Sequence, residues 1–419
     1  MFRKINNILD VLDWNMCIGC GTCYAACTKN AVELVNIEAI GIRPWFDASI
    51  CASCTDCLSV CPGYQVYAEM ATQSDGRSCE GDEEFGFFSE IWEGHATNPD
   101  IRYQGSSGGV LSALALYCLD HEKMDFVLHS GMDPDRPWLN RTVQSRNRRD
   151  ILERSGSRYA PASPCEGLGL IEKNNDPCVF IGKPCDTAGA FMLRKQRPDL
   201  DRNLGLVMSF FCGGTPSTQG TINLLQSLKI RPEDLSTLRY RGEGWPGTFK
   251  AINKKSKEEQ SIPYRIAWAR LCKYRPWRCH ICPHGLGRVA DISCGDAWHR
   301  SCQGDEGRSL IIVRTQRGRN ILQRAVNAKY VTLNPADAQD VLVAEKSLLE
   351  RRRHLFGRLL VMRMLRIPTP NFLDFHLRQS WIKLPLQIKM RSILGTLRRL
   401  IHRNLWRRGF INHQMKTDK

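Results

Sequence analysis

The chain has 419 residues, of which 42% are hydrophobic, enough for a sizeable core and too apolar for a disordered polymer. Its formal net charge of +16 is uneven: residues 351–419 hold 17 Lys/Arg against only Asp374 and Asp418, so residues 1–350 are near neutral and the charge is not a general nucleic-acid footprint. Nineteen cysteines follow a start, MFRKINNIL, that supplies no apolar signal core, so the expected compartment is cytoplasmic and reducing, where clustered cysteines read as metal ligands before disulfides.

The first 65 residues contain a short repeat. Cys17, Cys20, Cys23 and Cys27 have the CxxCxxCxxxC spacing, and Cys51, Cys54, Cys57 and Cys61 repeat it with Pro62 behind. In such paired sites the fourth cysteine serves the other cluster, so two [4Fe-4S] clusters are expected, one on Cys17, Cys20, Cys23 and Cys61, the other on Cys51, Cys54, Cys57 and Cys27. Gly19 and Gly21 let backbone amides approach the sulfides, and Thr28 replaces the proline usual after the fourth cysteine. A pair of zinc sites is the alternative, and four ligands in one tight run suit it poorly. Between the quartets, AVELV (Ala31 to Val35) and GIRPWF (Gly41 to Phe46) read as two short strands around a turn. Two clusters relay single electrons and do no organic chemistry, so a two-electron converter, most commonly a flavin, is expected behind them.

Residues 66–100, with EGDEEFGFF at Glu80 to Phe88, read as an irregular acidic linker. From Ile101 to about Val343, strand-like runs alternate with helical ones: Phe126 to Leu128, Cys178 to Ile181, Leu204 to Phe211, Ile292 to Gly295 and Ser309 to Arg314 as strands, and Ser217 to Leu228 as a helix. Gly105 to Tyr117 reads as a glycine-rich turn opening an apolar helix, where backbone amides at a helix N-terminus hold phosphate. Plain structural punctuation is the other reading. Lys183 follows a buried strand at its carboxyl end, where α/β sheets place ligands. Arg158 sits in a loop, and either cation would steady an anionic flavin or its phosphates, or else be a solvated surface charge. Trp245, in YRGEGWPG, suits a stacking lid or a packed turn. Asp296 would hydrogen-bond a flavin or substrate, or cap the next turn.

Cys279 and Cys282 form a lone CxxC. A third [4Fe-4S] cluster would need partners from Cys185, Cys212 or Cys294; a structural or redox pair, simple burial, and a zinc site with His280 and His284 stand beside it. Cys79, Cys118, Cys165, Cys178 and Cys302 read as core or surface thiols.

GSSGGV at Gly105, SGSRYAP at Ser155, FIGKPC at Phe180, FCGG at Phe211, YRGEGWPG at Tyr240, and Cys279 to Cys282 followed by ADISCGDAW at Ala290 occur in order. In these motifs the chain resembles the coenzyme F420 hydrogenase/dehydrogenase beta-subunit family, over roughly residues 10–315. The resemblance implies a bound FAD, with its diphosphate at Ser106, Ser107, Gly108 and Gly109, and leaves the substrate open, since members act on coenzyme F420 or on other acceptors. The expected fold class is α+β: a ferredoxin-like two-cluster domain (1–65), the linker (66–100), a mixed α/β flavin-binding domain (101–350) and a basic helical tail (351–419). The expected activity is that of an FAD-dependent iron-sulfur oxidoreductase linking a ferredoxin-like partner to an organic acceptor or coenzyme F420. An electron-relay subunit without its own substrate is the alternative.

In the tail, helices are expected near Arg351 to Leu365 and Leu386 to Trp406, broken at Pro368 and Pro370. Leu397, Leu400, Ile401 and Leu405 fall on one helical face among arginines, which suits an anionic membrane surface at the inner face of the membrane or an acidic partner. Nucleic acid is the weakest reading. No apolar run is long enough to span a bilayer.

Overall fold

The computed structural model describes residues 4–68, 80–82, 84–301 and 304–409. Its centre is an eight-stranded mixed sheet in the order Val331–Pro335, Glu90–Ala96, Ser309–Val313, Ile292–Asp296, Leu204–Phe210, Cys178–Gly182, Val127–Met132, Asn140–Ser145. The four strands from Ile292–Asp296 to Val127–Met132 run parallel, and the flanking strands are antiparallel. Every central run expected from the sequence is there. Their near-continuous apolarity is what a sheet covered on both faces requires.

Alternation along each strand divides the core. Val127, Val179, Leu206 and Met208 face the helices Val110–His121 and Gln316–Asn327. Leu128, Phe180, Leu204 and Val207 face the opposite way, into a core shared with the helix Pro184–Arg194, the N-terminal cysteine region and the C-terminal segment. A three-stranded sheet, Leu235–Arg239, Thr248–Asn253 and Glu259–Pro263, packs with the helices Thr218–Ser227 and Tyr264–Leu271 in a separate apolar cluster.

The N-terminal region begins with the helix Ile8–Asp13, whose Asn7 cap accepts a hydrogen bond from the Asp10 amide. The expected hairpin forms between Val32–Ile37 and Gly41–Phe46, paired antiparallel with Val32 opposite Phe46. Gly19 (φ 69°) and Gly21 (φ 87°) are left-handed, and a side chain at Gly19 would meet the Ile42 carbonyl oxygen at 2.5 Å.

Two expectations need correction. The segment read as an irregular linker contributes the strand Glu90–Ala96, between Ser309–Val313 and Val331–Pro335. Its glutamates disguise it: Glu93 is buried, and Arg300 and Arg308 each donate to its carboxylate at 2.9 Å. Those partners lie more than 200 residues away, out of reach of local pattern. Nor is the basic tail an appendage. Leu355, Leu359, Met362, Phe375 and Leu400 are buried in the core that holds the N-terminal region, and the strand Asn371–Leu373 runs parallel to Gln65–Tyr67. Several of its arginines are spent on backbone carbonyls, Arg352 on Phe375 at 2.6 Å and Arg351 on Cys212 at 3.0 Å and Gly213 at 2.8 Å.

Candidate functional site

The two cysteine quartets differ in depth. Cys20, Cys23 and Cys61 are buried and Cys17 half-buried, whereas Cys51 and Cys54 are exposed, with Cys57 and Cys27 between. Cys61 is an electrostatic neighbour of Cys17, Cys20 and Cys23, although some forty residues separate it from them, and Cys57 is a neighbour of Cys51 and Cys54. The helices Thr22–Ala26 and Asp56–Ser59, which carry Cys23 and Cys57, pack on each other and bring the groups together. Backbone amides already address the sulfurs: Gly19 donates to Cys17 Sγ and Ala31 to Cys27 Sγ, both at 3.4 Å. Burial pushes the Cys17, Cys23 and Cys61 thiols up, and the Cys165 thiol beside Cys20 draws that one down. Among the described residues no three His, Cys, Asp or Glu side chains close on a single metal ion.

A cavity lies between the N-terminal region and the sheet. Ile18, Ile42 and Arg43 form one wall, and Cys185, Cys212, Cys279 and Cys282 line the other. The four thiols come from three places: the start of the helix Pro184–Arg194, the end of the strand Leu204–Phe210, and the CxxC loop. Cys185 is an electrostatic neighbour of Cys212 and Cys282, Cys279 is a neighbour of the same two, and burial raises Cys185, Cys212 and Cys279. Cys294 is not among them, nor is Cys272. His284 lines this cavity too, with both ring nitrogens buried and without a partner. Cys118, Cys165 and Cys178 are core thiols; Cys79 and Cys302 lie outside the described residues.

A larger cavity adjoins it and shares Cys212, Gly214 and Thr215 with it. This one opens at the carboxyl ends of the parallel strands, where Ile181, Phe210 and Cys294 emerge, and is closed by Gly105 to Ser107, Gly109 to Ser112 and Arg154 to Ala160. Gly109, at φ 72°, caps the helix Val110–His121, and Val110, Leu111 and Ser112 of its first turn line the cavity. Of the residues nominated from sequence, Ser106, Ser107, Gly109, Arg158, Lys183 and Asp296 line it.

Their roles differ from expectation in four cases. Gly108 points away from the cavity; a side chain there would meet the Gly94 carbonyl oxygen at 2.5 Å, so its task is close packing on the sheet. The Arg158 guanidinium is committed to Asn140 and to the carbonyls of Leu238, Pro137 and Leu139, which makes it a brace. Trp245 does not line the cavity: it stacks on Trp298 at 5.3 Å, and its Nε1 donates to Asp296 at 2.8 Å. Asp296 in turn grips Arg241 through both carboxylate oxygens. Sequence reasoning missed Arg241, which is buried, lines the cavity and lies over the rings of Tyr264 (4.4 Å) and Trp298 (4.9 Å). Burial opposes its charge, but Asp296 together with Tyr159 and Tyr264 raises its pKa above the usual arginine range and keeps the guanidinium ionised. The aromatic and glycine content of the same loop drew attention to Trp245 instead. Lys183 Nζ donates to Asp186 at 2.7 Å and to the Ala162 carbonyl at 3.1 Å.

Comparison with known proteins agrees with this layout. Residues 11–67 match a 4Fe-4S dicluster domain, 91–168 the N-terminal part and 176–339 the C-terminal part of the coenzyme F420 hydrogenase/dehydrogenase beta subunit. The chain is 21% identical over 323 residues to a subunit of the F(420)H(2) dehydrogenase of Methanosarcina mazei, covering 74% of this chain and 82% of that one. It is 24% identical over 297 residues to the coenzyme F420 hydrogenase subunit beta of Methanococcus voltae, covering 68% and 99%. A chain in the F420-reducing [NiFe] hydrogenase complex of Methanosarcina barkeri shares the fold, with a TM-score of 0.54 at 19% identity over 70% of this chain and 98% of that one. With both halves of one family matched in order behind a 4Fe-4S dicluster domain, the chain belongs to the coenzyme F420 hydrogenase/dehydrogenase beta-subunit family.

Proposed function

We propose that this chain is an iron-sulfur flavoprotein oxidoreductase that links a ferredoxin-like partner to an organic acceptor or coenzyme F420 through a line of cysteine sites ending at an FAD. The observation that carries this reading is the contiguity of the sites. The exposed quartet abuts the buried one, Ile18 between Cys17 and Cys20 lines the third cysteine cavity, and Cys212 is common to that cavity and the larger one.

The donor sets fit the groups. Cys51, Cys54, Cys57 and Cys27 hold a [4Fe-4S] cluster at the surface, open to a protein partner. Cys17, Cys20, Cys23 and Cys61 hold a second one under the body. Cys185, Cys212, Cys279 and Cys282 supply four thiolates for a third, and Arg43, Arg278 and Arg351 around that cavity offset the charge such a site carries. In the larger cavity the Val110–His121 N-terminus and its glycine turn receive the FAD diphosphate, with the hydroxyls of Ser106 and Ser107 alongside.

FAD supplies the exchange between two-electron organic chemistry and one-electron transfer. The chain's own part is positioning. Lys183 and Arg241 place fixed positive charge in the cavity wall, each anchored by its own carboxylate and needing no reorganisation when negative charge develops there.

Iron, acid-labile sulfide and released flavin per chain, measured on protein purified without oxygen, test the reading. About twelve irons with one FAD support all sites, and about eight remove the third cluster. Clusters without flavin would leave an electron-relay subunit. Titration with coenzyme F420 then separates that acceptor from others: bleaching of its absorbance under a reduced partner identifies it.

A further inference from the structure

The C-terminal helix Leu386–His402 has an apolar face that the body does not use. Thr396 and Leu400 are buried, with Ile393, Leu397 and Leu405 packed beside Leu400 on the main core. Of the face expected from sequence, only Ile401 remains outside. Bordering that buried side, Leu386 (73% exposed), Met390 (47%), Leu394 (58%) and Ile401 (57%) stand in solvent. Positions 386, 390, 394 and 401 recur with the helical period and form one stripe along the whole helix. The helix Leu355–Met364 packs alongside, with Leu377–Ile382 packed on it in turn, and the two helices and the residue after the first carry exposed Leu360, Met364 (75%), Leu365 and Ile382 (57%). Single exposed leucines are ordinary on a protein surface, but a collected row of aliphatic tips marks a contact.

The chemistry of the row selects the occupant. Its members are Leu, Ile and Met, without the tyrosines and hydrogen-bonding centre on which protein interfaces are usually anchored. Arg391 and Arg398 follow the stripe on one flank and Arg363 and Arg366 lie at the other helix end, all exposed. No Asp or Glu occurs between residues 375 and 409. Long cationic side chains beside an aliphatic ridge match lipid phosphates above acyl chains. No helix among the described residues is long and apolar enough to cross a membrane, so the contact would be made from one side. The surface also lies beyond residue 339, where the match to the family model ends.

We propose that this C-terminal surface lies on an anionic lipid bilayer, with Leu386, Met390, Leu394 and Ile401 at the acyl-chain boundary and Arg391 and Arg398 at the phosphates. The proposal is independent of which acceptor the flavin cavity serves. The test is flotation of the full-length holoprotein with vesicles of phosphatidylglycerol and phosphatidylcholine, against phosphatidylcholine alone. The variant Leu386→Glu/Met390→Glu/Leu394→Glu changes only exposed side chains, and its visible cluster absorbance reports that it is folded. The parent chain is expected to float with the anionic vesicles, less so at high salt, and the triple variant to bind at least about tenfold more weakly. Arg391→Gln/Arg398→Gln is expected to lose the preference for anionic over neutral lipid. A parent chain that stays with the soluble fraction, as a docking site for an acidic protein would, overturns the proposal. A folded triple variant that floats as fully as the parent also overturns it.

Discussion

Lys183 places its ammonium 2.7 Å from the carboxylate of Asp186, and both side chains are buried in the wall of the larger cavity. Asp186 Oδ1 has no hydrogen-bond partner of its own, so Lys183 carries most of the compensation for a buried negative charge. Lys183→Met is therefore expected to destabilise the fold by about 3–5 kcal/mol, because it strands that charge. Lys183→Met/Asp186→Leu should recover much of the loss. Urea unfolding of the two variants checks this; equal destabilisation would show that the lysine acts through packing.

Arg241 depends on a fork. Its guanidinium meets both oxygens of Asp296, donates from Nε to the Pro246 carbonyl at 2.7 Å, and lies over two aromatic rings. Arg241→Lys keeps the charge and loses the fork and the stacking plane. It is expected to cost about 1–3 kcal/mol of stability and to weaken flavin retention by about tenfold. Fluorescence of flavin released on dilution measures the second effect, and unchanged retention would remove Arg241 from the cofactor wall.

The glycine turn is constrained twice over. Gly109 has a φ of 72°, and a side chain there would meet the Ile101 carbonyl oxygen at 2.6 Å. Gly109→Ala is expected to cost about 2 kcal/mol or more, from left-handed strain and the backbone collision together. Thermal melting reads the loss. Ser112→Ala, one turn along in the same wall and not sterically constrained, is the control and should melt within a few degrees of the parent.

How much of this was legible beforehand follows from where the information lies. The quartets and the central strands are local patterns, ligand spacing in one case and continuous apolar runs in the other. Glu93 and Arg241 were not legible, because a buried charge looks like a surface charge until its partner is found, and Arg300 and Asp296 are far along the chain. The third cysteine site lay between these extremes. Its CxxC was visible and Cys185 and Cys212 were among the nominated partners, but only the sheet order brings the three segments to one cavity and leaves Cys294 in the other.

His129 gives an acid-side prediction. It is half-buried, its Nε2 lies 2.8 Å from the Ser145 hydroxyl, and desolvation, helped by nearby Arg154, lowers its pKa from 6.5 to about 4. Between these values the unfolded chain binds a proton that the folded chain refuses. The stability contribution is full above 6.5 and falls as pH drops toward 4, by up to about 3 kcal/mol. Replacing the imidazole by a side chain that does not titrate, as in His129→Gln, should flatten that part of the pH profile. Denaturation midpoints of the two chains measured from about pH 7 to about pH 5 should therefore converge as the pH falls.

The C-terminal segment looked detachable by charge and is not detachable by packing. Ending the chain at Ala344 would remove Leu355, Leu359, Met362 and Phe375 from the core beneath the cysteine quartets and unpair the strand Gln65–Tyr67 from Asn371–Leu373. It would also take away Arg351, which holds the carbonyls of Cys212 and Gly213 between the two cavities. Each large buried side chain lost costs about 2–5 kcal/mol, so four together are comparable to the whole stability of an ordinary domain. The shortened chain is expected to be insoluble or to lose its iron on purification. Stopping after Arg408 instead removes only residues 409–419 and keeps the Arg408 contacts to Asp10 and Asp13, so that chain should retain its iron. A soluble 1–344 chain with its full complement of iron would show that the N-terminal sites fold without the segment that covers them.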